Sequence, residues 1–298
     1  MSSQTLVRRS PRNGKGSVWA SAAALRRLVL QLLLWAGLLV LSVIMLAPLA
    51  WMIGGAMKSN GEVMAIPIQW LPSEIRLAQN YRDMIGHIPY TRYYLNSVIV
   101  AVVATSGSVF FSALIGYGLA KFEFPGKRYF FGFIMATMMV PSQLTLIGLY
   151  VVVKNLGWLN TYHGLIVPEM LTAFGIFLMR QSMLVIPDEL IDAARIDGSG
   201  EFRIFTAIVL PLVKPALATL AILAGTAHWD SFLWPLIVIS DKRLYTLPVG
   251  LRFFLSDYGS YYNELMLGSL LALLPVLAMF LLFQRQFIRG VINSGLKQ

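Results

Sequence analysis

Residues 95–120 read LNSVIVAVVATSGSVFFSALIGYGLA, from Leu95 to Ala120, with no charged side chain. A bilayer's hydrocarbon core takes about 20 apolar residues per α-helix, so this stretch is long enough to cross it. Within it Ala104, Ser108, Ser112, Gly116 and Ala120 recur every four residues. Positions four apart share one helix face, and small residues at that period let membrane helices approach closely. The stretch therefore predicts a span packed tightly against a neighbouring helix.

Five further apolar runs flank it: 28–53, 129–153, 165–183, 210–239 and 265–283. The expected fold is all-α, a polytopic membrane protein with about six transmembrane helices. Pro48, Pro141, Pro168, Pro211, Pro215, Pro235 and Pro275 lie in or beside these runs. Proline inside a membrane helix is tolerated where neighbouring groups satisfy the freed carbonyl, so kinked helices packed in protein are expected. Composition agrees. Of the 298 residues 57% are hydrophobic and 13% charged, against about 45–50% and about 25% in soluble domains, which argues strongly against a water-soluble enzyme. The absence of cysteine excludes disulfides, iron–sulfur clusters and Cys-ligated zinc. His87, His163 and His228 lie far apart in sequence, without metal-ligand spacing; no metal and no cofactor is expected on this chain.

The net charge is +10. A basic balance also suits nucleic acid, but here cytoplasmic loops and anionic lipid account for it better, and no nucleic-acid partner is expected. Six alternating spans place segment 1–27, the second-to-third and fourth-to-fifth connections and segment 285–298 on one side. Those segments hold 16 of the 24 Lys and Arg residues. By the positive-inside rule both termini are expected in the cytoplasm, with residues 54–94 as an external loop. The run at 28–53 is about twice the 7–15 residues of a signal-peptide core, so it reads as an uncleaved first helix behind a basic tail.

Two connections carry further signals. Residues 240–264 contain Tyr245, Phe253, Phe254, Tyr258, Tyr261 and Tyr262, either an interfacial aromatic belt or a docking surface for an external partner. Between the fourth and fifth runs, Pro187-Asp188-Glu189 is a helix start, Leu190, Ala193, Ala194 and Asp197 recur at helical spacing, and Gly198-Ser199-Gly200 breaks the helix. A second helical pattern follows, with Phe202, Phe205, Ile208 and Val209 on one face. The first helix is too short to cross a bilayer. It is either a solvated connection with Asp192 and Arg195 paired three residues apart, or a docking helix.

At this segment the chain resembles the coupling-loop (EAA) motif of ABC importer permeases, E-A-A-x-x-D-G, then about nine residues, then I-x-L-P. Here it reads Asp192-Ala193-Ala194-Arg195-Ile196-Asp197-Gly198, then Ile208-Val209-Leu210-Pro211, with Asp192 in place of the usual Glu. Phe122 to Arg128, Met139 to Gln143, Leu156 to Tyr162, Trp229 to Pro235, and Gln284-Arg285 to Arg289-Gly290 and Lys297 are similar to the second, six-helix permease of maltose-type carbohydrate importers. Ser294-Gly295 stands where Gly-Ala is usual.

The resemblance implies a type I ABC importer transmembrane core over residues 91–284, with the coupling loop at 187–209. It implies a second permease, a dimer of ATP-binding subunits that hold ATP and Mg, and an external solute-binding protein. The chain would then be a transport subunit in the plasma (inner) membrane rather than an enzyme. Asp192, Ala193, Ala194, Arg195, Asp197 and Gly198 would couple to the ATPase, and Arg289, Gly290 and Lys297 would carry tail contacts to it. The chain has no G-x-x-x-x-G-K-[ST] loop, so nucleotide energy must arrive from another subunit.

Among polar groups in the spans, Gln143, Thr145, Trp229 and Asp230 are candidates for the solute pathway, beside Ser142, Glu169 and His228. Interhelical hydrogen bonding is the alternative for all of them. Importers of polyols, glycerol phosphodiesters or acidic oligosaccharides stand as alternatives within the class, and an ion-coupled secondary transporter outside it.

Overall fold

The computed structural model describes residues 15–256 and 259–295. The chain divides after Gly54 into two compact units. Residues 1–14 of the expected basic tail lie outside the described residues.

Helix α1 runs Lys15–Met57 with Pro48 inside it. It begins well before the apolar run because Ala20, Ala22, Ala23, Ala24 and Leu25 are strong helix formers. The connection at 54–94, expected to be an external loop, folds into α2 (Asn60–Val63) and α3 (Leu77–His87). Then α4 (Tyr90–Lys121) forms one unbroken 32-residue helix.

The third run differs from a simple span. It forms α5 (Lys127–Thr137) and α6 (Ser142–Asn155), bent by 105°. Pro141 caps α6 and disfavours helical backbone at the residue before it, which ends α5 early. The fourth run forms α7 (Tyr162–Ile166), a 3₁₀ turn (Val167–Met170) and α8 (Ala173–Leu184).

Beyond α8 lie α9 (Asp188–Ile196), α10 (Glu201–Ile204), a π-turn (Phe205–Val209), α11 (Leu210–Leu212) and α12 (Lys214–Trp229). The path bends by 82° between Leu212 and Lys214. Pro215 lacks an N–H and its ring clashes with the carbonyl four residues back, so the helix cannot run straight through. The fifth run is thus not continuous over 210–239: α12 stops at Trp229, and α13 (Leu233–Val238) is separate. After α14 (Leu247–Leu251) comes a two-residue antiparallel pair, β1 (Leu255–Ser256) with β2 (Gly259–Ser260), in register Leu255 to Ser260. Helix α15 runs Tyr262–Gly295 without a break at 284, so most of the expected tail continues the sixth helix. Among the described residues four helices are long and apolar enough to cross a membrane, or six if each bent pair counts as one span.

Helix α4 is the centre of the second unit, packed chiefly against α8 and α12, with α12 also on α15. Its small-residue stripe is the reason. Ala104, Ser108 and Ser112 are fully buried. A Cβ at Gly116 would lie 2.8 Å from the Met179 Cβ and 2.9 Å from the Arg180 backbone nitrogen, so only glycine permits this approach.

The connections expected to share the external side meet at the N-terminal end of α4. Asn96 donates to the carbonyls of Arg243 (3.0 Å) and Tyr245 (2.9 Å) and accepts from the Tyr162 hydroxyl (2.7 Å). Asn80 donates to the carbonyls of Ala56 and Lys58 and accepts from Asn263. His87 and buried Glu264 meet at 2.7 Å. The aromatic segment is partly core: Phe254 is fully buried and Tyr245 packs on Tyr93, while Phe253 and Tyr261 flank His87.

Candidate functional site

The other end of α4 carries the helix–turn–helix. Pro187 is the N-cap of α9. Asp188 and Glu189 fill the first turn, where negative charge suits the helix dipole. The amine of Lys121, the last residue of α4, reaches the Asp188 carboxylate at 2.6 Å and also donates to the Ile186 carbonyl. The Lys121 hydrogen bond holds the Asp188 carboxyl below its ordinary pKa.

Ile191 and Ala194, three apart, face inward and are buried with Tyr117, Met183, Ile204 and Phe205. Ala193, Asp192 and Asp197 are exposed. Helix α9 ends in a Schellman turn: the Ser199 N–H bonds the Ala194 carbonyl, the Gly198 N–H bonds the Arg195 carbonyl, and Gly198 sits at φ +79°. That left-handed backbone suits glycine.

Arg195 ties the two helices together. Its Nη1 meets Asp192 at 2.9 Å and its Nε meets Glu201 at 2.6 Å. Glu201 also accepts from the Tyr117 hydroxyl at 2.9 Å. The hydrogen bond to Glu201 raises the Arg195 pKa further.

The structure redistributes the expected coupling residues. Ala194 packs into the chain's own core and presents no surface, so of the two alanines only Ala193 is open to a partner. Asp192 is paired with Arg195, and Arg195 also with Glu201, so neither is free. Phe202 does not share the buried face of Phe205 and Val209: Ile204 is buried beside them instead, and Phe202 is 66% exposed. With Leu190 and Ile196, which is 86% exposed, it gives the loop an uncovered apolar surface beside Ala193. Lys121, Tyr117 and Glu201 were not legible as loop residues, since their role needs α4 to end against α9. Arg289 and Gly290 fall on the backbone of α15, and Lys297 lies outside the described residues.

The candidate pathway residues do not form one site. Gln143 and Thr145 are exposed on the first turn of α6, where the Thr145 hydroxyl donates to the Ser142 carbonyl. Trp229 is buried; its indole N–H donates to the Ala272 carbonyl and its ring meets Tyr94 edge-on at 5.5 Å. It therefore joins α12 to α4 and α15. Asp230 is exposed at the C-cap of α12.

An all-α membrane bundle with a short helix–turn–helix docked at one end is the architecture of an importer permease. Residues 108–293 match the family model described as "Binding-protein-dependent transport system inner membrane component", and the chain belongs to that family. It is a transport component and a multi-pass membrane protein, not an enzyme. The arabinooligosaccharides transport system permease protein AraQ of Bacillus subtilis (strain 168) is 36% identical over 261 residues, covering 87% of this chain and 93% of AraQ. The sn-glycerol-3-phosphate transport system permease protein UgpE of Brucella suis biovar 1 (strain 1330) is 33% identical over 267 residues, covering 86% of this chain and 94% of UgpE. A crystal structure of a bacterial ABC transporter involved in the import of the acidic polysaccharide alginate has the same fold, with TM-score 0.73 and 22% identity over 93% of this chain and 99% of that one.

Proposed function

We propose that this permease imports a carbohydrate delivered by an external solute-binding protein, together with a second permease and two ATP-binding subunits. The subunits that bind ATP and Mg push on α9. The observation that carries this reading is the α9–α10 hairpin. It is rigidly tied to α4 by Lys121, Tyr117 and Glu201, yet exposes Leu190, Ala193, Ile196 and Phe202. An exposed apolar patch at the end of a fixed lever is a surface that a partner covers, and rigid-body motion of that partner reaches α4 directly. The hairpin side and both termini then face the cytoplasm. The similarity to AraQ across most of both chains supports a carbohydrate.

The test is to purify the tagged chain from its native membrane in mild detergent, identify what accompanies it, and reconstitute the assembly. A second permease, an ATPase and a binding protein should co-purify, and arabinotriose uptake should require ATP. Recovery of the chain alone, with solute uptake driven by an ion gradient, would overturn the reading.

A further inference from the structure

A polar chain lies inside the bundle, apart from the hairpin. Thr105 is half-way along α4, His228 is in the last turn of α12, and Glu169 is on the 3₁₀ turn before α8. The Thr105 hydroxyl and His228 Nδ1 are 3.0 Å apart, and His228 Nε2 lies 3.7 Å from a Glu169 carboxylate oxygen. The histidine side chain is 4% exposed and the glutamate 33%. The longer separation exceeds a hydrogen bond, and no hydrogen bond reaches the Glu169 carboxylate among the described residues. Its ion-pair partner there is His228, with no Lys or Arg. Thr105 also opens, with Ser106 and the Trp229 ring, onto a cavity of about 370 Å³ between α4, α12 and α15.

A carboxylate one-third open within a span is costly against lipid, so its open edge belongs toward water or protein. Of the three residues Thr105 lines that cavity, while His228 is buried behind it and Glu169 keeps its own open edge. A hydroxyl at an apolar cavity with an aromatic wall, and a carboxylate with an open edge close by, offer a sugar groups to bond and surface to cover its C–H faces. Wherever the proton sits, as carboxylic acid and imidazole or as carboxylate and imidazolium, the His228–Glu169 pair is neutral; with the proton lost it is negative. Neither arrangement attracts an anion.

We propose that Thr105, His228 and Glu169 form a hydroxyl-binding station on the solute pathway of this chain, selective for uncharged carbohydrate over anionic solutes. This rests on the carbohydrate-permease reading and extends it to named contacts.

The chain contains no cysteine, which makes a direct test available in the assembled complex. Glu169→Cys should react with a water-soluble methanethiosulfonate reagent, at rates that differ between nucleotide-free and ATP–vanadate-trapped complexes. Thr105→Cys, with Glu169 in place, should react faster with a cationic reagent than with an anionic one. Glu169→Gln should assemble normally and raise KM for arabinotriose by about 3- to 10-fold at unchanged kcat, the size of one lost hydrogen bond. Protection of both cysteines in both states would overturn the station, because the cluster would then be sealed interhelical packing. So would an unchanged KM in Glu169→Gln. Failure of the wild-type complex to take up arabinotriose would instead sink the substrate reading, and the labelling would still decide whether Glu169 lies in water.

Discussion

Ala193 and Ala194 are neighbours of the same type with opposite surroundings. Ala194 is packed against Tyr117 and Phe205 in the core cluster, while Ala193 points away from it. A bulky side chain at each should therefore fail differently. Ala194→Trp is overpacking, which costs about 1–3 kcal/mol or more, and should lower the yield of assembled permease. Ala193→Trp should leave the permease folded and paired but weaken ATPase co-purification and ATP-driven uptake. Size-exclusion yield and ATPase recovery of the two variants, measured side by side, separate the outcomes; equal behaviour would remove the assignment of Ala193 to the partner surface. The motif alone cannot distinguish these alanines. Its spacing places both on a helix, but which one faces inward depends on where α9 lands on α4, set by Lys121 and Ile186 rather than by the motif.

At the scale of the element, the hairpin is held by a three-membered polar link, Asp192–Arg195–Glu201, backed by Tyr117. These groups are partly exposed, so screening limits each pair to about 0.5–1 kcal/mol. The value of the link lies in fixing the angle between α9 and α10. An Arg195→Gln and Glu201→Gln double-mutant cycle on ATPase-coupled uptake should show non-additivity, the double variant being little worse than either single one. Strict additivity would mean that the two residues act separately. The sequence read well where periodicity and breakers are local: α4 with its small-residue stripe, α9, and the Gly198 stop were all legible. It read poorly where proline interrupts an apolar run. A hydropathy run cannot tell a kink from a right-angle turn, so the 105° and 82° bends around Pro141 and Pro215 and the separation of α13 from α12 were hidden inside two apparently ordinary spans. The π-turn was hidden too, as was the inward place of Ile204 that leaves Phe202 exposed. Gln143, Thr145, Trp229 and Asp230 were singled out, beside Ser142, Glu169 and His228, for being polar in apolar runs; of these only His228 and Glu169 come together in the cluster with Thr105, whose members are 123 and 59 positions apart and meet only when α4, α12 and the turn before α8 pack.

On the scale of the molecule, the unequal lengths of its helices carry a consequence for the surrounding lipid. Helix α4 has 32 residues and its neighbour α12 has 16. At about 1.5 Å per residue, α12 spans about 24 Å, short of a hydrocarbon layer about 30 Å thick. Lys214 stands at one end and Asp230 just past the other, and the apolar residues beyond them, 208–212 and Leu233–Val238, lie on separate short segments. Acyl chains against this flank must shorten or splay, at a cost of fractions of a kcal/mol per Å of mismatch. Uptake by the reconstituted importer should accordingly be greater in di-C14 than in di-C22 phosphatidylcholine at equal protein density, with the binding protein's affinity for solute unaffected. A flat response would mean that a partner subunit, rather than lipid, lies against α12. If the response appears, the cell's choice of fatty-acid length becomes a control on how fast this chain turns over.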